Sequence, residues 1–534
     1  MSMSQKKWSR VLPFKHFADE RGFGIPAVLS FIIAIGLIAG ALLMIIINNL
    51  YLVGNNVRRQ QAFNIAEAGV NYYLWHLAHN ATDYKDGTGL PATPDATLGF
   101  GPYVHNYVNN ETSVQGTYTL WIKPQASGST VATVRSIGKT KDGTMRTIDA
   151  QIGASSFASY GLLANTQVWF GENEAANGPV FSNTGIRMDG PNSDTVSSAN
   201  GTYEPSGQYG GDGNTHDGVW CKTTITGCLS RDKSNWLFPR PNIDFNQVKG
   251  TLCTMKRVAF ANDNSTQPLA SLANACQQTP NNRTAAYIPR YSASSFSTVK
   301  GYMIELNTNN TYNLYKVSAE DDTENVYTNA LTSSLVANNI GVPSSGVIFV
   351  EDNVWIRTNP TFHGRVTVAA GRLNSDTDKA NINIIDDILY STKNGEDTIG
   401  LIAENDVIIT PYAPPQSGAF TFEINAAALA QNGSVTWPKR YKLANAYCTR
   451  GWVNNDQKFS YYGSVATYSE WTWNYTYYGG CPGAKYNPAD GTNVSGIKNT
   501  LTNYDYNLLY APPPSYPITG GYNILSWREV LTRP

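Results

Sequence analysis

The chain has 534 residues, enough for two or three domains. Lys and Arg number 39 against 40 Asp and Glu, a formal net charge of −1, which excludes a global field that would recruit nucleic acid or anionic lipid. Only 15% of the residues are charged, whereas Tyr numbers 32 and Gly 46, a profile suited to an exported β-rich surface built on hydroxyls and amides.

Residues 1–22 form a polar leader with Lys6, Lys7, Arg10 and Lys15, enough positive charge to hold that end in the cytoplasm. No charged side chain falls between Arg21 and Arg58, so the apolar run that follows can cross a bilayer as a helix. Ile25, Ala27, Phe31, Leu37, Met44 and Ile47 belong to that run, and Pro26 lies in its first turn, where a missing amide donor costs least. Farther on, Phe63, Ala66, Val70, Tyr73, Leu74 and Leu77 recur at helical spacing, while Arg59, Gln60, Asn64 and Asn71 fall elsewhere. One helix is expected across 23–78, about 80 Å long.

The element Glu20-Arg21-Gly22-Phe23 precedes the apolar run, whereas a secretory signal is cut after it. Gly22-Phe23 ahead of a hydrophobic helix resembles the class III processing site of type IV prepilins. Gln61-Ala-Phe-Asn-Ile-Ala-Glu-Ala-Gly69 is similar to the soluble half-helix of PilX-type minor pilins. The resemblance implies that a prepilin peptidase cuts between Gly22 and Phe23. The helix would then wait in the inner membrane, its N-terminus cytoplasmic, before packing with other pilins and minor pilins at the cell surface. Counted from Phe23, the fifth residue is Ala27, where major pilins usually carry Glu; within the family this implies a tip or priming subunit.

Residues 79–115 read as a loop region rich in Gly, Pro and Asn. Thr117–Lys123, Thr130–Ile137 and Met145–Ile152 then alternate as strands, with Pro124, Gly128, Gly138 and Lys141-Asp-Gly143 at the turns. This resembles the β-meander of a pilin head and sets a module at 79–153. Short apolar strands recur beyond it, at Thr166–Phe170, Gly178–Ser182 and Gly185–Met188, in a β-rich region with an insertion spanning 154–345. Met303–Leu306 and Thr311–Val317 read as a hairpin around Asn307-Thr-Asn-Asn310.

From 346 to 534 the apolar units Val347, Val366, Ile382 and Leu401 lie roughly 16–19 residues apart, about one coil of a parallel β-solenoid. Gly185–Gly190, Gly400–Val407 and Leu508–Pro514 resemble large PilX-like proteins and the oversized minor pilins of DNA-uptake systems. The fold expected is mainly β: a long N-terminal pilin helix, a small pilin β-meander and a large parallel β-solenoid-like head.

Candidate sites are few. Six cysteines in an exported chain suggest disulfides, and sequential pairing would join Cys221 to Cys228, Cys253 to Cys276 and Cys448 to Cys481, with other connectivities open. No CxxC and no clustered His supports a metal, and nothing calls for a cofactor. His76, His79, His105, His216 and His363 lack a nucleophile signature, and GxSxG, HExxH and P-loop motifs are absent. Asp376/Asp378 and Asp386/Asp387 are acidic pairs of the kind a β-helix lyase or glycosidase uses, but Asp is also a good turn residue. Trp471, Trp473, Tyr475 and Tyr477 alternate with polar residues, so one strand would put all four on one face. Such a row stacks on sugars or bases, or packs as core. The expected role is a non-enzymatic minor pilin recognising extracellular DNA, glycan or a surface ligand. The alternatives are a membrane-anchored exported β-helix enzyme acting on polysaccharide and a pseudopilin of a type II secretion machine.

Overall fold

A computed structural model describes residues 24–79, 83–108, 113–124, 131–261, 276, 283–290, 299–320, 331–375, 377–410, 413–414, 419–437, 457–475, 495–497 and 500–530. The protein is mainly β, with one long N-terminal helix and a large head of several sheets. The helix, Gly24–His79, has 56 residues and two different halves. As far as Val57 it buries nothing. Beyond that, Ala62, Ile65, Ala66, Gly69, Val70, Tyr73 and Leu77 are buried on one stripe. Phe63 and Leu74, expected on that stripe, lie half-buried at its margin.

The stripe docks on an antiparallel sheet in the order Phe100–Val108, Val114–Lys123, Val131–Thr140, Met145–Ser156 and Ile518–Val530. Leu120, Ile122, Val134, Ile148, Ala150 and Ile152 face the helix, each Leu, Ile or Val among them contributing about 1.5–3 kcal/mol by leaving water. Gly138, read from the sequence as a turn, lies inside a strand. A Cβ there would come within 2.2 Å of the Ala62 carbonyl oxygen and 2.4 Å of the Ala66 nitrogen, so the helix rests directly on strand backbone.

Two more elements depart from the sequence reading. Phe100–Val108 is a strand inside the expected loop region; its Gly101-Pro102 conceals the alternation, and the pairing skips between Phe100 and Tyr103. Ile518–Val530 leaves the 346–534 region and pairs with Met145–Ser156, so the sheet that takes the helix is completed from the far end of the chain. Everything between Phe157 and Pro517 is inserted into that sheet.

The insertion is a parallel coil with two strands to a turn. One wide sheet runs Trp236–Leu237, Val196–Ser198, Val180–Ser182, Leu162–Ala164, Gln457–Thr467, Phe420–Ala430, Thr398–Ala403, Arg365–Ala370, Val347–Val350, Tyr287–Ile288. Facing it are an eight-stranded sheet from Leu331–Gly341 to Trp471–Thr472 and a three-stranded sheet of Val168–Phe170, Ile186–Met188 and Val219–Trp220. Inward side chains of all three fill a single core, including Val168, Ile186, Ile356, Ile382, Leu401 and Val465. Val347, Val366 and Leu401 belong to the wide sheet, whereas Ile382 pairs with Val354 and Val407 in the opposite one. The spacing in the sequence had merged strands from two faces; in this arm, successive paired strands of the wide sheet are offset by 20 to 37 residues.

The chain enters this coil at its middle. From Leu162 it advances to Leu237, and Ile243, Phe245 and the helix Gln247–Ala261 then pass over the outer face of the wide sheet. It resumes at Tyr287 and advances again until Val465–Thr467 pairs with Leu162–Ala164. The hairpin Gly301–Asn307/Thr311–Glu320 forms as read, with Asn310 at φ 57°, the left-handed turn position that Asn tolerates.

Gly138→Ala is expected to loosen the helix from its sheet at a cost of about 1–3 kcal/mol, the scale of overpacking. Gly54→Ala is the control, because its Cβ would meet nothing within 4 Å. Amide exchange in Val131–Thr140 should accelerate in the first variant only.

Candidate functional site

The apolar half-helix is the most exposed hydrophobic surface described. Ile25 is 81% exposed, and Phe31, Leu37, Met44 and Ile47 are all above half. Pro26 and Ala27 are exposed as well; Gly22 and Phe23 lie outside the described residues. A bare apolar rod of this length is compatible with lipid or with other apolar helices around it, and not with water alone.

Its other end is locked to the head by a polar loop. Asp83 accepts the amides of Lys85 (2.8 Å) and Gly87 (2.7 Å), and its Oδ2 lies 3.1 Å from His76 Nε2. Asp86, at φ 54°, accepts the Tyr72 hydroxyl (3.0 Å) and lies 2.8 Å from His105 Nε2. The loop thus joins the helix, through Tyr72 and His76, to the first strand, through His105. Burial alone would raise the Asp83 carboxyl, but the two amides and the imidazole outweigh it and hold it below the usual range.

The aromatic row does not form one exposed face. Trp473 is 5% exposed, with its ring 5.3 Å from Phe459 and 5.7 Å from Tyr461. Trp471 packs against the same core and meets Phe170 at 5.3 Å. Both indoles close the coil interior, because Trp471 pairs with the inward-facing Val435. The strand also breaks after Thr472, and Asn474–Tyr475 pairs instead with Ser495–Gly496. Tyr477 lies outside the described residues, as do Cys448, Cys481 and Asp376. Disulfides join Cys221 to Cys228 and Cys253 to Cys276.

The acidic pairs serve as corners and counter-ions. Asp378 bonds Arg290 at 2.6 Å and also pairs with Arg372. Asp387 accepts the Glu423 amide at 2.7 Å and Asp386 the Asp387 amide at 3.0 Å, both where the coil turns between sheets. Burial raises both carboxyls, that of Asp387 to about 6. Among the described residues, no three His, Cys, Asp or Glu side chains are placed to hold a metal ion.

One constellation escaped the sequence reading. Trp169, Arg187 and Trp220 stand in register on three adjacent parallel strands and point outward. The Arg187 guanidinium lies 4.7 Å from the Trp169 ring and 5.2 Å from that of Trp220, and His216 stacks on Trp220 at 3.6 Å. The three are far apart in sequence, and only the coil stacks them; the alternation at Gln167-Val-Trp-Phe170 was the one available signal.

No family model matches the sequence, and no curated protein matches it. Solved structures that match include the competence-associated pilin ComZ from Thermus thermophilus, at 12% identity and a TM-score of 0.28, covering 89% of this chain and 98% of that one. The likeness is too distant to carry residue correspondences.

Two outcomes are expected. Trp473→Ala should destabilise the coil by about 3–5 kcal/mol, as an indole removed from a core does, read as a lower thermal midpoint of the coil transition. For Asp83 the folded value is depressed, so its contribution is present above the unfolded value and is lost as pH falls through the folded one. Exchange protection of residues 83–90 should therefore hold at neutral pH and fade below about pH 4. Asp83→Asn should show the faded state at pH 7.

Proposed function

We propose that this chain is a minor pilin of a type IV pilus, acting in filament assembly and surface recognition. One observation carries the reading. A single helix, bare and apolar for its first half and docked on an antiparallel sheet for its second, follows directly on Gly22-Phe23. In the proposed sequence of events a prepilin peptidase removes residues 1–22, and the bare half spans the inner membrane. It then exchanges lipid for the helices of neighbouring pilins. That exchange is favourable in packing, since a lipid tail and a helix surface are similarly apolar but only the helix interlocks.

Ala27 supports a place at or near the tip. Without a carboxylate at the fifth mature position, the subunit has nothing to offset a neighbour's buried N-terminal amine, which favours a position with no such neighbour to satisfy. The head then recognises a ligand and does not catalyse. Its carboxylates at Asp378, Asp386 and Asp387 are held by guanidinium and backbone partners that fix coil corners.

N-terminal sequencing of protein from the native envelope tests the reading. The mature chain is expected to begin at Phe23, and Gly22→Ala should accumulate the unprocessed form and remove the protein from sheared filaments. Cleavage beyond Val53, or an intact leader in a piliated host, would overturn the proposal.

A further inference from the structure

We infer that the outer face of the coil, at the break between its two arms, binds a neutral glycan with the Trp169 indole as the stacking platform. This deepens the recognition role proposed above and rests on that reading only in taking the head to face outward.

The break is a property of the fold. On the wide sheet the two arms join through Val465–Thr467 and Leu162–Ala164, but the opposite side is discontinuous. There the eight-stranded sheet stops at Trp471–Thr472, and the three-stranded sheet begins at Val168–Phe170. The interior stays closed beneath, where Phe170 meets Trp471. Val168 and Phe170 point inward and are buried, while Trp169 between them is 39% exposed beside the break.

Trp169 is held rigidly. One ring face lies against the Arg187 guanidinium, and its Nε1 donates to Asp189 at 2.9 Å. Arg187 is itself buried, pairs with Asp189 at 2.7 Å, donates to the Gly210 carbonyl and is backed by Trp220. An aromatic ring with no freedom left to lose is a preorganised platform. A pyranose offers it a face of C–H groups, and the hydroxyls at the sugar's rim need amide and carboxylate partners. Gln167 and Gln208 stand at that rim. Gln167 accepts the Ser206 amide at 2.9 Å and donates to the Glu204 carbonyl at 3.2 Å, and Gln208 donates to Glu470 at 2.5 Å across the break; a sugar hydroxyl would exchange with these bonds.

Charge separates a glycan from a nucleic acid. The guanidinium beside the platform is already engaged by Asp189 and two rings, and the side chain across the break is the carboxylate of Glu470. A phosphodiester would meet that carboxylate and a guanidinium that is already paired, whereas a neutral sugar brings no charge to be repelled.

The test uses the full chain in detergent micelles, titrated calorimetrically with cellohexaose, chitohexaose and maltohexaose and, separately, with a mixed-sequence single-stranded oligonucleotide. At least one hexasaccharide is expected to bind. Trp169→Ala should weaken it about tenfold or more, the scale of one lost stacking contact, and Trp169→Tyr should retain most of the affinity. Near-UV circular dichroism on heating confirms that both variants stay folded; should the Ala variant unfold, Trp169→Tyr and Glu470→Gln decide, with Glu470→Gln expected to change affinity without moving the melting temperature. Binding of none of the three sugars, undiminished binding by folded Trp169→Ala, or Trp169-dependent binding of the oligonucleotide alone would overturn the inference. Processing at Gly22 is scored independently, so failure to bind sugar leaves the anchor reading standing, and the converse holds as well.

Discussion

Three residues from each arm, Leu162–Ala164 and Val465–Thr467, hold the coil together. A rung of a parallel coil buries its inward face only when another rung lies on each side. Here the first rung made is also the one that must wait for the last, some three hundred positions later, and such distant pairings are slow to close. Side-chain bonds reinforce the join: Thr166 Oγ1 donates to the Ser469 carbonyl at 2.6 Å, and Ser464 Oγ to that of Tyr160 at 2.6 Å. The same join sets the neck. Once residue 467 is beside residue 164, the Tyr504 hydroxyl reaches the Ala158 carbonyl, and the Phe157 amide reaches that of Pro517. Ile518–Val530 follows directly and pairs into the sheet that receives the helix.

What could be read in the sequence follows from how local each signal is. The helix was legible because its apolar run and its spacing are properties of neighbouring residues. Its docked face was read too narrowly: Gly69 carries no apolar signal, yet it is buried where a Cβ would strike Ser136 Oγ at 2.3 Å. The strands of the coil were legible as short apolar units, but nothing local distinguishes a strand of one face from a strand of the other. The last strand was invisible for a different reason. It contains Gly520-Gly521, and its partner is separated from it by the whole insertion. In the aromatic row, alternation put Trp471 and Trp473 on a common side but could not say that the side was inward.

A chain so poor in charge places several of its ion pairs inside. Lys256 meets Glu351 beneath the crossing helix, where the Tyr287 hydroxyl donates to the same carboxylate at 2.5 Å. Arg372 meets Asp352, and Arg187 meets Asp189. Burying charges in this way adds little net stability, because desolvation offsets most of the attraction. It does discriminate between positions: a crossing helix shifted by one turn would leave Lys256 and Glu351 buried without each other.

Because the coil is held at its middle, both of its ends are free of the neck. Additional turns inserted after Leu237 or before Tyr287 would lengthen an arm while leaving Leu162–Ala164, Val465–Thr467 and the helix-bearing sheet where they are. Each added turn brings its own inward face and costs only a longer crossing segment, and long connections are entropically inexpensive. The architecture therefore separates two evolutionary problems. The size and reach of the head can drift rung by rung at its extremities, and the sheet that carries the helix is untouched by that drift.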